Sequence, residues 1–117
     1  MSPLTITTRG TLSGPVLEIT GDLDHATAPA LRKAVDHLPW AGGQLLLLDL
    51  GGLQFCDSSG ISTLLATRNL AIEAGCDIAL AAVPANTTRI LRIVGLDRVF
   101  TIHPDTSAAM ALRSATS

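Results

Sequence analysis

The sequence predicts a single α/β domain, residues 1–117, with a mostly parallel sheet of about four or five strands, an N-terminal hairpin at the sheet edge and about four covering helices. The chain has 117 residues, which is the length of one domain. Strand patterns alternate with helical patterns after the hairpin. Residues 44–50 are apolar almost throughout, which is typical of a parallel strand buried on both faces.

A hairpin is expected to open the chain. Residues 5–8 alternate weakly between polar and apolar side chains, and residues 16–20 alternate more clearly. A turn is expected near residues 13–15, because serine, glycine and proline follow one another there. Residues 21–24 then read as a loop with two aspartates.

The first helix is expected over residues 28–38. Its apolar residues, from Leu31 to Leu38, recur at the i, i+3, i+4, i+7 spacing of an amphipathic helix. Thr27 suits the N-cap position and Pro29 suits the first turn.

The second helix is expected to begin at the run Asp57-Ser58-Ser59-Gly60, shortly after the apolar strand. Gly75 is expected to end it, since glycine adopts the left-handed conformation that closes many helices. Its buried apolar stripe is predicted to consist of Ile61, Leu64, Leu65, Leu70 and Ile72.

The remaining elements continue the alternation. We expect a strand over residues 76–83, a short helix over 88–94, a strand over 99–102 and a terminal helix over 105–113. The predicted order is therefore β-β-α-β-α-β-α-β-α. Strands linked through helices run parallel, so the sheet is expected to be parallel after the hairpin.

Composition excludes several classes of function. The net charge is −2, whereas nucleic-acid binding favours a basic surface, so no direct contact with nucleic acid is expected. No apolar run approaches the ~20 residues that span a bilayer, and the first residues lack the features of a signal peptide. We therefore expect a cytoplasmic protein without membrane insertion. The histidines and cysteines have no metal-site spacing, so neither a metal nor another cofactor is expected.

The segment from Phe55 to Gly60 is the most unusual one chemically. It lies between a buried strand and a helix, and sites gather at the carboxyl ends of parallel strands. The first amides of a helix are unpaired and attract anions, so a phosphate carried by Ser58 or Ser59 would find donors. The alternative is a simple helix cap, for which aspartate and serine are the favoured residues.

This segment also carries a resemblance to a known family. Residues 48–61 resemble the signature of the sulfate transporter and anti-sigma factor antagonist (STAS) domain. Residues 21–28 resemble the first loop and helix start of that family, residues 83–91 its third-helix entry, and residues 94–100 its closing turn and strand. The resemblance covers nearly the whole chain and implies the STAS fold.

The resemblance implies a function. In the anti-sigma factor antagonists of this family, the serine directly after the aspartate is phosphorylated, and that serine is Ser58 here. The kinase is the anti-sigma factor, a serine kinase of the histidine-kinase ATPase fold. Unphosphorylated antagonist binds it and frees the sigma factor, phosphorylated antagonist lets go, and a phosphatase resets the cycle. The expected protein is a stand-alone bacterial antagonist, monomeric and not itself an enzyme.

The supporting residues are predicted to be Asp22, Asp24, Asp57, Ser59 and Gly60. Asp24 matches the family position that helps to engage the kinase, although a solvated turn is the simpler interpretation of both loop aspartates. Ser59 is expected to cap the helix. Gly60 is expected either to allow a close approach at the helix start or to meet the needs of turn geometry alone.

Two other classes of function compete with this one. An enzyme would need an activated nucleophile or a phosphate loop, and the sequence has neither G-x-S-x-G nor G-x-x-x-x-G-K-[ST]. A STAS domain can instead serve as an accessory subunit, for example in lipid transport, that binds an ATPase constitutively. A nucleotide-sensing STAS domain is a further alternative.

Overall fold

The computed structural model describes residues 3–116, with side chains described as far as residue 111. The elements follow the predicted order, with one added 3-10 turn. Their bounds are β1 Thr5–Thr11, β2 Gly14–Leu23, α1 Ala28–Asp36, β3 Leu45–Cys56, α2 Ser58–Glu73, β4 Asp77–Ala81, α3 Ala85–Ile93, the 3-10 turn Leu96–Arg98, β5 Thr101–His103 and α4 Thr106–Thr116.

The five strands form one sheet in the order β1-β2-β3-β4-β5. β1 pairs antiparallel with β2 and occupies the edge, while β2, β3, β4 and β5 run parallel to one another. The mostly parallel sheet and its edge hairpin are therefore confirmed. Because each parallel connection passes through a helix, the ends of β2 and β3 lie side by side, with Leu23 opposite Cys56.

Helices cover the two faces of the sheet unequally. The larger core cluster lies on the face covered by α1, α2 and α3, and includes Leu31, Leu64 and Leu91 from these helices. A smaller cluster under α4 includes Leu45, Leu47 and Ala109. Alternate residues of β3 point into the two clusters, which confirms that its apolar run is a strand buried on both faces.

β2 and β3 extend further than expected. Gly21 to Leu23 belong to β2 rather than to a loop, and β3 continues through Gly51 and Gly52 to Cys56. A β-carbon on Gly52 would lie 2.4 Å from Thr20 Cγ2, and the register between the two strands shifts beside it. Gly52 therefore makes room for a neighbouring strand and does not end its own.

The buried face of α2 also differs from the expected stripe. Leu70 and Ile72 are exposed, while Thr63, Thr67 and Ala71 are buried. Both threonine hydroxyls donate to the carbonyl four residues earlier, Thr63 to Ser59 and Thr67 to Thr63. Since those bonds satisfy the hydroxyls, threonine is tolerated where an apolar residue was expected.

The last elements differ from expectation at their ends. α3 begins at Ala85, three residues earlier than expected, directly after Pro84 at the N-cap. β5 starts at Thr101, two residues later than expected, because the amides of Val99 and Phe100 both donate to the carbonyl of Leu96 and so continue the 3-10 turn. Among the described residues, no helix is long and apolar enough to cross a membrane, and both cysteines are free thiols.

Candidate functional site

The two predicted site segments meet where β2 and β3 end. Asp22 pairs with Phe55 across the strands, and Leu23 pairs with Cys56. The amide of Asp57 donates to the carbonyl of Leu23 at 3.3 Å, which continues this contact beyond the last strand pair. The end of β2, with Asp22, and the start of α2 therefore lie side by side at one end of the sheet.

Asp57 is the N-cap of α2. Its backbone is extended, and its Oδ1 accepts a hydrogen bond from the amide of Gly60 at 2.9 Å. The expectation that Ser59 is the cap was wrong, because Ser59 lies inside the first turn and only its carbonyl is used, by Thr63. Because the Asp57 backbone is extended, its carboxylate lies at the start of the helix, where it can accept from the amide of Gly60, the third residue of α2.

Ser58 is the first residue of α2 and is exposed. Its hydroxyl makes no hydrogen bond to any residue whose side chain the structure describes. Ser59, next to it, is half-buried. Of the two candidate hydroxyls, Ser58 is thus the more accessible to another protein.

Gly60 allows α2 to approach the strand ends closely. A β-carbon there would lie 2.6 Å from both Cys56 Sγ and the carbonyl oxygen of Leu23. The backbone of Gly60 does not have a positive φ. Close approach, not backbone conformation, therefore explains this glycine.

Asp24 organises the loop before α1. Its Oδ1 accepts hydrogen bonds from the amides of Ala26 and Thr27, at 3.0 and 3.1 Å. Thr27 occupies the N-cap position as expected, but its side chain makes no cap bond to the helix. It turns back instead, accepting from the amide of Asp24 at 2.9 Å and donating to the carbonyl of Asp22 at 2.8 Å. The Asp24 carboxylate therefore stabilises the loop through hydrogen bonds, and Asp24 is more than a solvated turn residue.

Cys56, at the end of β3, carries a thiol whose pKa is raised. Burial, and secondly the negative charge of Asp57, raise the pKa of its thiol to about 12. A thiol held neutral is a poor nucleophile. Cys56 thus acts as a small buried side chain and packs against Gly60.

A groove of about 240 Å³ lies between α1 and α2 beside the serines. His25 and Arg32 line it from one side, and Ser59 and Ser62 line it from α2. Sequence reasoning missed Arg32 and Ser62, because neither signals on its own that the two helices are neighbours. Phe55 is expected between the strand and the helix, whereas it is the second-last residue of β3 and is 52% exposed.

Comparison with known proteins decides the family. A family model described as "Mlab, STAS domain" matches residues 6–104. The chain belongs to the STAS domain family. The resemblance to this family and the STAS fold that it implies are therefore confirmed.

Several relatives of this STAS domain carry functional names. An anti-sigma F factor antagonist of Paenibacillus polymyxa is 29% identical over 89 residues, covering 75% of this chain and 76% of that protein. The anti-sigma-F factor antagonist RsfB of Mycobacterium tuberculosis is 32% identical over 85 residues, covering 73% and 69%. A crystal structure of an anti-sigma factor antagonist from Mycobacterium paratuberculosis superposes with a TM-score of 0.75 at 27% identity, covering 95% and 94%.

The chemistry open to this STAS domain follows from its geometry. Ser58 Oγ is exposed at a helix start, where unpaired amides and the helix dipole favour added negative charge. Within the described residues, no group of histidine, cysteine and acidic side chains is arranged to hold a metal ion.

Proposed function

We propose that this STAS domain is an anti-sigma factor antagonist that is switched by phosphorylation of Ser58. The observation that carries the proposal is the position of Ser58, exposed in the first turn of α2 directly after the capping Asp57. The relatives named as anti-sigma factor antagonists support the general role. The expected partner is an anti-sigma factor with serine kinase activity and the ATPase fold.

Phosphorylation makes the antagonist the substrate and leaves catalysis to the partner. The Ser58 hydroxyl proton passes to a base on the kinase, the Oγ–P bond forms, the bond from the γ-phosphorus of ATP to its bridging oxygen breaks, and ADP leaves. A phosphatase reverses the modification by hydrolysis. No step requires the buried Cys56 thiol or an activated serine in this chain.

The phosphate controls binding through charge and bulk. It adds roughly −1.5 to −2 charges and three acceptor oxygens at a surface that otherwise presents a neutral hydroxyl. Within the domain, the first amides of α2 stabilise it. Across a close interface it must be desolvated, and a difference of 1.4 kcal/mol is already a tenfold loss of affinity. The modified protein is therefore released.

The supporting residues divide into two roles. Asp57 and Gly60 fix the start of α2, so that Ser58 is presented in one position. Asp22, Asp24 and Ser59 belong to the same end of the sheet, and we expect them to form the surface that the kinase contacts. Of these, Asp24 is the one whose carboxylate position is set by two amides, which suits a defined contact with a partner.

The test is a pull-down from lysate of the source organism with three baits, read by mass spectrometry. The wild-type chain and Ser58→Glu are compared, and Ser107→Glu is the matched control because Ser107 is exposed near the start of α4. An ATPase-fold kinase held by wild type and Ser107→Glu but lost by Ser58→Glu supports the proposal. Calorimetry with the purified partner should then show that Ser58→Ala binds and Ser58→Asp binds at least about tenfold more weakly.

The alternative function, a constitutive accessory subunit of an ATPase, gives a different result. Such a subunit would be captured equally by wild type and Ser58→Glu, and no phosphoserine would form with ATP. Equal binding of Ser58→Ala and Ser58→Asp would contradict the phosphorylation switch. In that case Ser58 would be a residue of the helix start and nothing more.

A further inference from the structure

A notch interrupts the sheet edge at the end of the domain opposite Ser58. β5 pairs only with residues Ala79 to Ala81 of β4. The first two residues of β4, Asp77 and Ile78, pair with β3 on one side but lie beyond the start of β5 on the other. A cavity of about 350 Å³ opens there, between α2, α4 and the segment that leads into β5. Since α2 starts at the carboxyl ends of the strands, this notch is separate from the candidate phosphorylation site.

The walls of the notch are largely apolar. Ile72 from α2, Ile78 from β4 and Val99 before β5 line it, and Leu45 and Ala109 close its inner side. Ile72 and Val99 are 52% and 38% exposed. These side chains give the cavity a hydrocarbon surface that remains open to solvent.

Arg68 places a positive charge in the same cavity. It lies one helical turn before Ile72, lines the notch and is half-buried. Among the residues whose side chains the structure describes, it has no ion-pair or hydrogen-bond partner. The other ionisable groups in the lining are Asp77, which already has an interaction of its own, Cys76 and His103.

We propose that this notch binds a small amphipathic carboxylate, with its head group on Arg68 and its hydrocarbon part against Ile72, Ile78 and Val99. A guanidinium forms two parallel hydrogen bonds with a carboxylate. A carboxylate ligand would therefore stabilise the half-buried guanidinium of Arg68, which has no counter-charge among the residues whose side chains the structure describes. The cavity volume is at the lower end of the range for small-molecule sites, which limits the ligand to a short chain or a single ring. An inorganic anion would leave the apolar walls unused.

The test uses octanoate as the probe and the full chain as the protein. Titration is followed by NMR of the isoleucine, leucine and valine methyl groups, and the dissociation constant is expected to be about 1 mM or tighter. The methyl groups of Ile72, Ile78 and Val99 should shift most. Octan-1-ol, with the same chain and no charge, should bind at least about tenfold more weakly.

Three variants assign the contacts. Arg68→Gln should weaken octanoate binding at least about tenfold, whereas Arg92→Gln, which removes an exposed arginine on α3 outside the notch, should leave it unchanged. Val99→Glu, on the rim, should abolish binding because it places a like charge beside the head group. It also provides a test if Arg68→Gln fails to fold.

The proposal is overturned if octanoate causes no shifts at the notch. It is also overturned if octan-1-ol binds as tightly as octanoate, or if both notch variants keep the wild-type affinity. Shifts confined to the groove between α1 and α2 would assign the probe to the other end of the molecule and would contradict it equally.

Discussion

Asp24 and Thr27 hold each other in place through a reciprocal pair of hydrogen bonds. The amide of Asp24 donates to Thr27 Oγ1 at 2.9 Å, and the amide of Thr27 donates to Asp24 Oδ1 at 3.1 Å. The pair fixes the loop between β2 and α1 from both sides. A loop residue that the proposed function assigns to partner contact is thus also a structural one.

Replacing Asp24 separates these two roles. Asp24→Asn keeps an acceptor oxygen at the same position, so the free energy of unfolding should change by less than about 0.5 kcal/mol, whereas Asp24→Ala should lose about 1 kcal/mol. Urea denaturation measures both. Phosphorylation of Asp24→Asn by the partner kinase should nevertheless be slowed, because the charge is gone. A normal rate would restrict Asp24 to the structural role.

Gly60→Ala should be strongly destabilising. The added carbon would lie 2.6 Å from the backbone carbonyl oxygen of Leu23, so α2 must move away from the sheet. Such overpacking typically costs about 1–3 kcal/mol. Gly10→Ala is the matched control, because a β-carbon there has no neighbour within 4 Å, and its effect should stay within about 0.5 kcal/mol. Equal stability of the two variants in urea would show that α2 tolerates the shift.

Cys56 should make stability fall at high pH. In the folded chain the pKa of its thiol is raised from 9.0 to about 12. As the pH rises, the unfolded chain therefore releases this proton first. The stability that the neutral thiol contributes is complete below pH 9 and is lost between pH 9 and 12. The slope approaches 1.4 kcal/mol per pH unit. The chain has no tyrosine and a single lysine, so few other groups obscure the effect.

Urea denaturation at pH 8 to 11 measures this slope. Cys56→Ala should flatten it, while Cys76→Ala, which retains Cys56, should keep it. An unchanged slope in Cys56→Ala would assign the loss of stability to other groups.

Ala82→Gly should stabilise the domain. Ala82 follows β4 with φ of 54°, and it is the one residue other than glycine with positive φ among those described. An L-residue pays roughly 1–2 kcal/mol for this conformation, part of which is offset by the greater freedom of glycine in the unfolded chain. The expected gain is about 0.5–1 kcal/mol by thermal or urea denaturation. Ala82→Val, with a branched β-carbon, should lose stability instead.

The elements that follow from local patterns could be predicted. The helical spacing from Leu31 to Leu38 predicts α1, although the helix ends at Asp36, and the apolar run predicts the first half of β3. Periodicity suffices there because it depends only on which side of an element is buried. The start of α2 at Ser58 also follows from its own residues, since aspartate and serine at a helix entry supply the missing acceptors.

Errors arose where a neighbouring segment decides the outcome. The apolar pattern of the central strand covers residues 44–50, yet β3 continues to Cys56 because Gly52 accommodates Thr20 of β2. Leu70 and Ile72 read as buried, yet α2 turns Thr63 and Thr67 toward the sheet and satisfies their hydroxyls within the helix. Hydrophobicity alone could not predict these two features. The space beside Gly52 decides how far β3 runs, and hydrogen bonds within α2 decide which residues it can bury.

The order of strands and helices follows from the amino-acid sequence alone, and so do the family resemblance and the position of Ser58 at the first turn of α2. These depend on periodicity, capping chemistry and motif, which are properties of short segments. Two further features appear only in the folded chain. Leu23 and Cys56 require glycine at position 60, and Arg68 lines an open notch without a counter-charge among the residues whose side chains the structure describes. Such relationships join residues far apart in the chain, and sheet pairing and helix packing fix them.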